Sequence, residues 1–113
     1  MLVLKQRLAA EESRVDEVHR KMFRVMALRN RQVGIWAALM MEMDPKQAEK
    51  YANEVIALGL QKGGDLAMVA KLTEDFAKAG VPVSPEGVYL EMARRTLSAE
   101  STLNSLGDQP RAA

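Results

Sequence analysis

The chain has no cysteine and only one histidine, His19. The first absence excludes disulfides and thiolate metal sites, and the second excludes a histidine metal cluster and a cysteine–histidine nucleophile pair. Aromatic residues are scarce: two Phe, two Tyr and the single Trp36, against eight methionines. That balance predicts a helical core filled by unbranched, adaptable side chains, and it argues against a surface that stacks single-stranded nucleic acid. No apolar run approaches the roughly 18 residues that would span a membrane. Lys5, Arg7, Glu11 and Glu12 break up the N-terminus where a secretory signal needs an apolar stretch, and the acids there do not suit a transit peptide. The expectation is a cytoplasmic protein that stays where it is made, a compartment in which a cysteine-free chain loses nothing.

What is present is one domain's worth of chain, 113 residues, long enough to bury a stable core without staples. Its charge is lopsided. Residues 1–33 carry eight Lys or Arg and four Asp or Glu, a net +4, while residues 34–113 carry eight and eleven, a net −3; together they give the formal +1. A basic half of this kind is either a solvated helix of mixed charge or a face that attracts an acidic protein, a nucleic acid or a membrane.

The punctuation is that of an all-helical protein. Asp44-Pro45 opens a helix, with Asp44 as cap, Pro45 at the first helical position and Gln47 placed to close a capping box. Ala48, Tyr51, Ala52, Val55 and Ile56 then recur at helical spacing. "QKGGD" ends that helix at Gly63-Gly64, and Asp65 is placed to cap the next. Leu66, Val69, Leu72, Phe76 and Ala79 form its apolar stripe, and Gly80 stops it. Ser84 and Pro85 start a last helix through Val88, Met92 and Leu97, which frays in "NSLGDQPRAA". Short links between these helices predict antiparallel neighbours, and no run alternates long enough to make a strand.

The segment before Asp44 is different. A helical pattern runs from Leu2 almost to Met43 with no proline, a rod of roughly 60 Å if unbroken. Such a rod must either project from the bundle or break. Asn30 and Gly34 are poor helix formers, which places the expected junction at residues 28–34. Beyond it Val33, Trp36, Ala37, Met40 and Met43 make a buried face; before it Val15, Val18, Met22 and Val25 make a narrower stripe on a basic helix. The reading is an all-α four-helix bundle with a mobile or helical N-terminal arm: arm 1–19, bundle 20–104 and disordered tail 105–113.

No catalytic constellation emerges. Carboxylate pairs such as Glu74-Asp75 diverge on a helix, and no metal site is expected. "KGGD" lacks the GxxxxGK[ST] pattern of a phosphate loop and reads as a turn. Arg29 and Arg31 flank Asn30 in a triplet too polar for a core; they form either a polar collar at the junction or a fork for a carboxylate or phosphate. "HRKMFRVMALRNR" also has the form of an amphipathic target or membrane-surface helix.

"ALRNRQVGIWAA", "YANEV", "KLTEDFAKAGVPVS" and Met92 together resemble the zeta subunit family of the alphaproteobacterial F-type ATP synthase over roughly residues 27–95. The resemblance implies a four-helix bundle with a mobile arm that inhibits ATP hydrolysis. The arm would enter a catalytic alpha/beta interface of the headpiece and obstruct the rotor. It also implies weak ADP or ATP binding in the bundle of some members, without residues that can be mapped here; no other cofactor is expected. Leu4, Arg7, Glu12 and Phe23 fit the family's arm pattern, with Val15 a smaller apolar substitute. Lys5-Gln6 replaces an acidic pair, and Val15-Asp16-Glu17-Val18 replaces a histidine-containing run, so this arm is more basic. On this reading the protein is a regulatory, non-enzymatic subunit, cytoplasmic and peripheral to the inner membrane when bound to the synthase. Leu4, Leu8, Val15 and Val18 supply apolar contact, and Arg7, Glu11, Glu12 and Arg14 set register through charge pairs. Arg29 and Arg31 stand as further contact residues at the shoulder. No nucleic acid partner is expected, and the membrane is met only through the synthase. Two alternatives stay open: a non-inhibitory paralogue that binds adenine nucleotide or another partner through its bundle, and a basic arm that binds nucleic acid or a membrane surface.

Overall fold

The computed structural model describes residues 2–107, and these form four helices: α1 (Leu2–Met40), α2 (Pro45–Gly59), α3 (Gly64–Ala79) and α4 (Pro85–Gly107). α1 packs on α2 and α4, α2 on α3, and α3 on α4, closing a four-membered ring around one core. No strand occurs among the described residues. The molecule measures 64 × 36 × 22 Å, and the long dimension matches the roughly 58 Å expected of a 39-residue helix.

α1 does not break. The junction expected at residues 28–34 is continuous helix, because the two weak helix formers there serve packing. Gly34 lies where α1 crosses α2, and a β-carbon on it would come within 2.8 Å of the Ala52 Cα. Asn30 is wholly buried. Tertiary contact therefore outweighs the roughly 1 kcal/mol that glycine costs a helix.

The helix ends follow local chemistry. Asp44 and Gln47 close the expected capping box, with Asp44 Oδ1 accepting from the Gln47 amide at 2.8 Å and Gln47 Oε1 from the Asp44 amide at 3.1 Å. Ser84 Oγ accepts from the Gly87 amide. Gly80 sits in the left-handed region, φ 71°, and the Val81 and Gly80 amides reach back to the Phe76 and Ala77 carbonyls, a Schellman closure. α1 ends in the same way without a glycine: Glu42 takes φ 59° while the Met43 and Glu42 amides donate to the Ala38 and Leu39 carbonyls. A non-glycine residue there costs roughly 1 kcal/mol, offset by the carbonyls it satisfies.

The core consists of Val33, Ala37 and Ala38 from α1, Ala48, Tyr51 and Val55 from α2, Met68, Val69, Leu72 and Phe76 from α3, and Val88 and Met92 from α4. Trp36 packs at its edge, edge-on to Phe76 with ring centroids 5.4 Å apart. Tyr51 donates to Asp75 Oδ2 at 2.7 Å; burial, then this carboxylate, pushes its phenol pKa far up.

Several expectations require correction. Among the described residues only Met68 and Met92 are buried methionines, so alanine and valine, which let helices approach closely, form most of the interior. Leu66, Ala79, Leu97 and Met40 face outward. α2 ends at Gly59, four residues before the glycine pair, and Asp65 does not cap α3, whose N-cap Gly63 has no side chain to offer. α4 stays helical to Gly107, past the point where fraying was expected. Residues 108–113, the rest of the tail expected to be disordered, lie outside the described residues.

Gly34→Ala sets helix propensity against this close approach. The expected result is a net loss of about 1–2 kcal/mol in urea unfolding; an unchanged or raised midpoint would show that α1 and α2 have room to spare.

Candidate functional site

The Arg29-Asn30-Arg31 triplet divides between interior and surface. Arg29 is 4% exposed and Asn30 fully buried, so the expectation that a core would reject the triplet fails at both. The Arg29 guanidinium donates through Nε and Nη2 to Asn30 Oδ1, at 3.0 and 2.9 Å, and through Nη1 and Nη2 to the Asp65 carboxylate on α3. A buried cation is tolerable only when its donors find acceptors, and Asp65, half exposed, supplies the compensating charge. The Asn30 amide fits beside Gly59, where a β-carbon would collide with it and with the Met68 sulfur. Gly64 in turn allows the start of α3 to pass directly against the Gly59 backbone. Three helices thus meet on one polar cluster.

Arg29 is therefore engaged inside the protein, with its donors turned to Asn30 and Asp65. Arg31 stays on the surface in a two-pronged pair with Glu49 of α2, at 2.8 and 3.0 Å. Their mutual hydrogen bonds hold the Glu49 carboxyl below, and the Arg31 guanidinium above, their ordinary pKa ranges. Arg31, Trp36, Leu39 and Arg95 line a cleft of about 390 Å³ between α1 and α4. Arg95 is held by Glu91 through Nε at 3.0 Å. Among the described residues no cluster of three or more acidic or histidine side chains is placed to hold a metal.

The remaining expected contact residues, Leu4, Arg7, Leu8, Glu11, Glu12, Arg14, Val15 and Val18, lie together on α1, where every residue from Val3 to Arg24 is exposed. Val25, 6% exposed, is the first to enter the bundle. Leu4, Leu8, Glu11, Val15, Val18, Met22 and Val25 follow one another at alternating steps of four and three, so at 100° per residue they fill a stripe about 100° wide. The next member is the buried Arg29. Val25, Arg29 and Val33 carry this line into the bundle, so the arm's uncovered stripe runs into one edge of the face that α2, α3 and α4 cover. Met22 lies on this stripe and Lys21 beside it, and neither was among the expected contacts. The alternating steps were legible, but the eye stops where Glu11 interrupts them and where Arg29 replaces an apolar residue.

Asp65→Ala would leave the Arg29 charge with Asn30 alone. The expected cost is about 2 kcal/mol, reduced from that of a fully buried pair because Asp65 is half solvated. Arg29→Met should cost less in the Asp65→Ala background than in the native protein. Additive losses would mean that the two groups do not act as a pair.

The family model for ATPase inhibitor subunit zeta matches residues 1–102. No curated protein and no solved structure matches the chain. The matched region takes in the exposed arm, the polar cluster, α1 to α3 and most of α4, and the chain belongs to the ATPase inhibitor subunit zeta family.

Proposed function

We propose that this protein is a regulatory, non-catalytic subunit that binds the catalytic headpiece of an F-type ATP synthase and slows its ATP hydrolysis through the N-terminal half of α1. One observation carries the reading: a long amphipathic helix, exposed at every residue from Val3 to Arg24, projects from a bundle whose buried core uses none of it. No helix of the described residues is long and apolar enough to cross a membrane, so a membrane location would come through the synthase.

A single helix about 10 Å across can enter a seam between subunits that a globular domain cannot. Leu4, Leu8, Val15 and Val18 would bury against the alpha/beta interface, and Arg7, Glu11, Glu12 and Arg14 would fix its register beside the rotor. Inhibition needs only that the arm bind one conformer of the rotary cycle better than the others. A preference of about 3 kcal/mol lowers turnover roughly a hundredfold. The bundle, too wide to follow, sets how far the arm goes in.

ATP hydrolysis by the isolated headpiece of the same organism, titrated with the full chain and with a version lacking residues 1–18, tests this. The full chain should suppress hydrolysis and the shortened one should not, although its bundle is intact because the first buried side chain is Val25. Equal suppression by both, or by neither, would refute the arm as inhibitor.

A further inference from the structure

We infer that the arm recognises its target as a coiled-coil partner does, pairing with one acidic α-helix of a second protein and neither with its own copy nor with a lipid surface. This rests on the reading of the arm as a docking element and specifies what it docks to. The stripe Leu4, Leu8, Glu11, Val15, Val18, Met22, Val25 is a heptad seam with apolar residues at every core position except Glu11. Its two flanks differ. On one side Arg7, Arg14 and Lys21 recur every seven residues, all basic; on the other stand Lys5, Glu12 and His19. Arg14, Val15, Val18 and His19 surround a shallow depression in the middle of the seam, the place where a facing side chain would insert.

Charge along the seam excludes a second copy in either orientation. A parallel pair would set Glu11 against its own counterpart inside the core. An antiparallel pair would bring the basic flanks together, Arg14 against Arg14 and Arg7 against Lys21. A lipid surface suits the arm no better, because a carboxylate lies in the apolar line and the stripe is narrow for a helix lying in an interface. An acidic helix satisfies all three positions of the basic flank, and one lysine or arginine on it at the Glu11 layer would neutralise that residue.

The bundle already shows the arrangement. The last turns of α4 lie beside α1 at the upper end of the seam, where Lys21, Met22, Val25 and Met26 line one groove with Thr96, Glu100 and Asn104. There α4 brings an acid, Glu100, to the groove that Lys21 also lines. It ends at Gly107, and among the described residues nothing takes its place from Val18 down to Leu4. The partner helix would continue the line that α4 leaves off.

The test needs no synthase. The full chain, with Ser13→Cys labelled on the outer face of the arm, is titrated by fluorescence anisotropy with two designed helical peptides and with phosphatidylglycerol vesicles. Both peptides carry leucine at the core positions and one lysine for the Glu11 layer; one has glutamate on both flanks and the other has lysine. The glutamate peptide should bind at least tenfold more tightly than the lysine peptide. Arg7→Glu, Arg14→Glu and Lys21→Glu together should reverse that order, and Val15→Asp with Val18→Asp should abolish binding. These side chains are exposed, so circular dichroism should show each variant folded as before. Equal binding of the two peptides, tighter binding to vesicles than to either peptide, or dimers in sedimentation at the same concentration would each overturn the inference. A protein that inhibits the headpiece yet ignores the glutamate peptide would lose this inference alone. One that binds the peptide yet leaves hydrolysis untouched would lose only the inhibitory reading.

Discussion

The structure depends on one buried cation. Arg29 sits at a position of α1 that would ordinarily be apolar, and it can stay there only because Asn30 turns its amide oxygen toward it and Asp65 reaches over from α3. That need orders the surroundings. Gly59 leaves the space that the Asn30 amide fills, and Gly64 brings α3 close enough for Asp65 to arrive. A leucine at position 29 would pack with less demand on its neighbours, but it would not fix which turn of α3 faces which turn of α1. Directional, charge-assisted hydrogen bonds do so.

With α1 pinned at this point and crossing α2 tightly at Gly34, the rest of the helix follows from continuity. No proline interrupts α1 between Leu2 and Met40, so the helix continues beyond the bundle with an apolar stripe of its own. The arm is thus the same amphipathic helix deprived of neighbours. Unbroken backbone hydrogen bonds join Leu4–Met22 to the bundle, so the bundle sets the direction in which this stripe points.

Much of this was legible in the chain. The capping box at Asp44 and Gln47, the stop at Gly80 and the cap at Ser84 depend on a few neighbouring residues, and each stands where the local pattern predicts. The arm's apolar stripe was legible for the same reason. Long-range approach was not. Asn30 and Gly34 read as weak points because helix propensity is local, while the Ala52 backbone and the Gly59 gap that make them useful lie 18 and 29 residues further on. Asp65 read as a cap because it follows two glycines; its real partner is 36 residues earlier. Glu42 gave no stop signal, since its left-handed turn is imposed by the carbonyls of Ala38 and Leu39 and not by its own preference. Leu97 and Leu66 read as buried by spacing alone, yet α3 and α4 each have a single covered side.

α1 passes from arm to bundle with no joint at the polar triplet, so arm and bundle should move as one body. The chain has no native cysteine, so spin labels at Ser13→Cys on the arm and Ser98→Cys on α4 can be read without background by pulsed electron paramagnetic resonance. The account requires one narrow distribution of label separations for the free protein. A broad or two-peaked distribution would place a hinge between arm and bundle, and the seam would then have no fixed orientation to offer a partner.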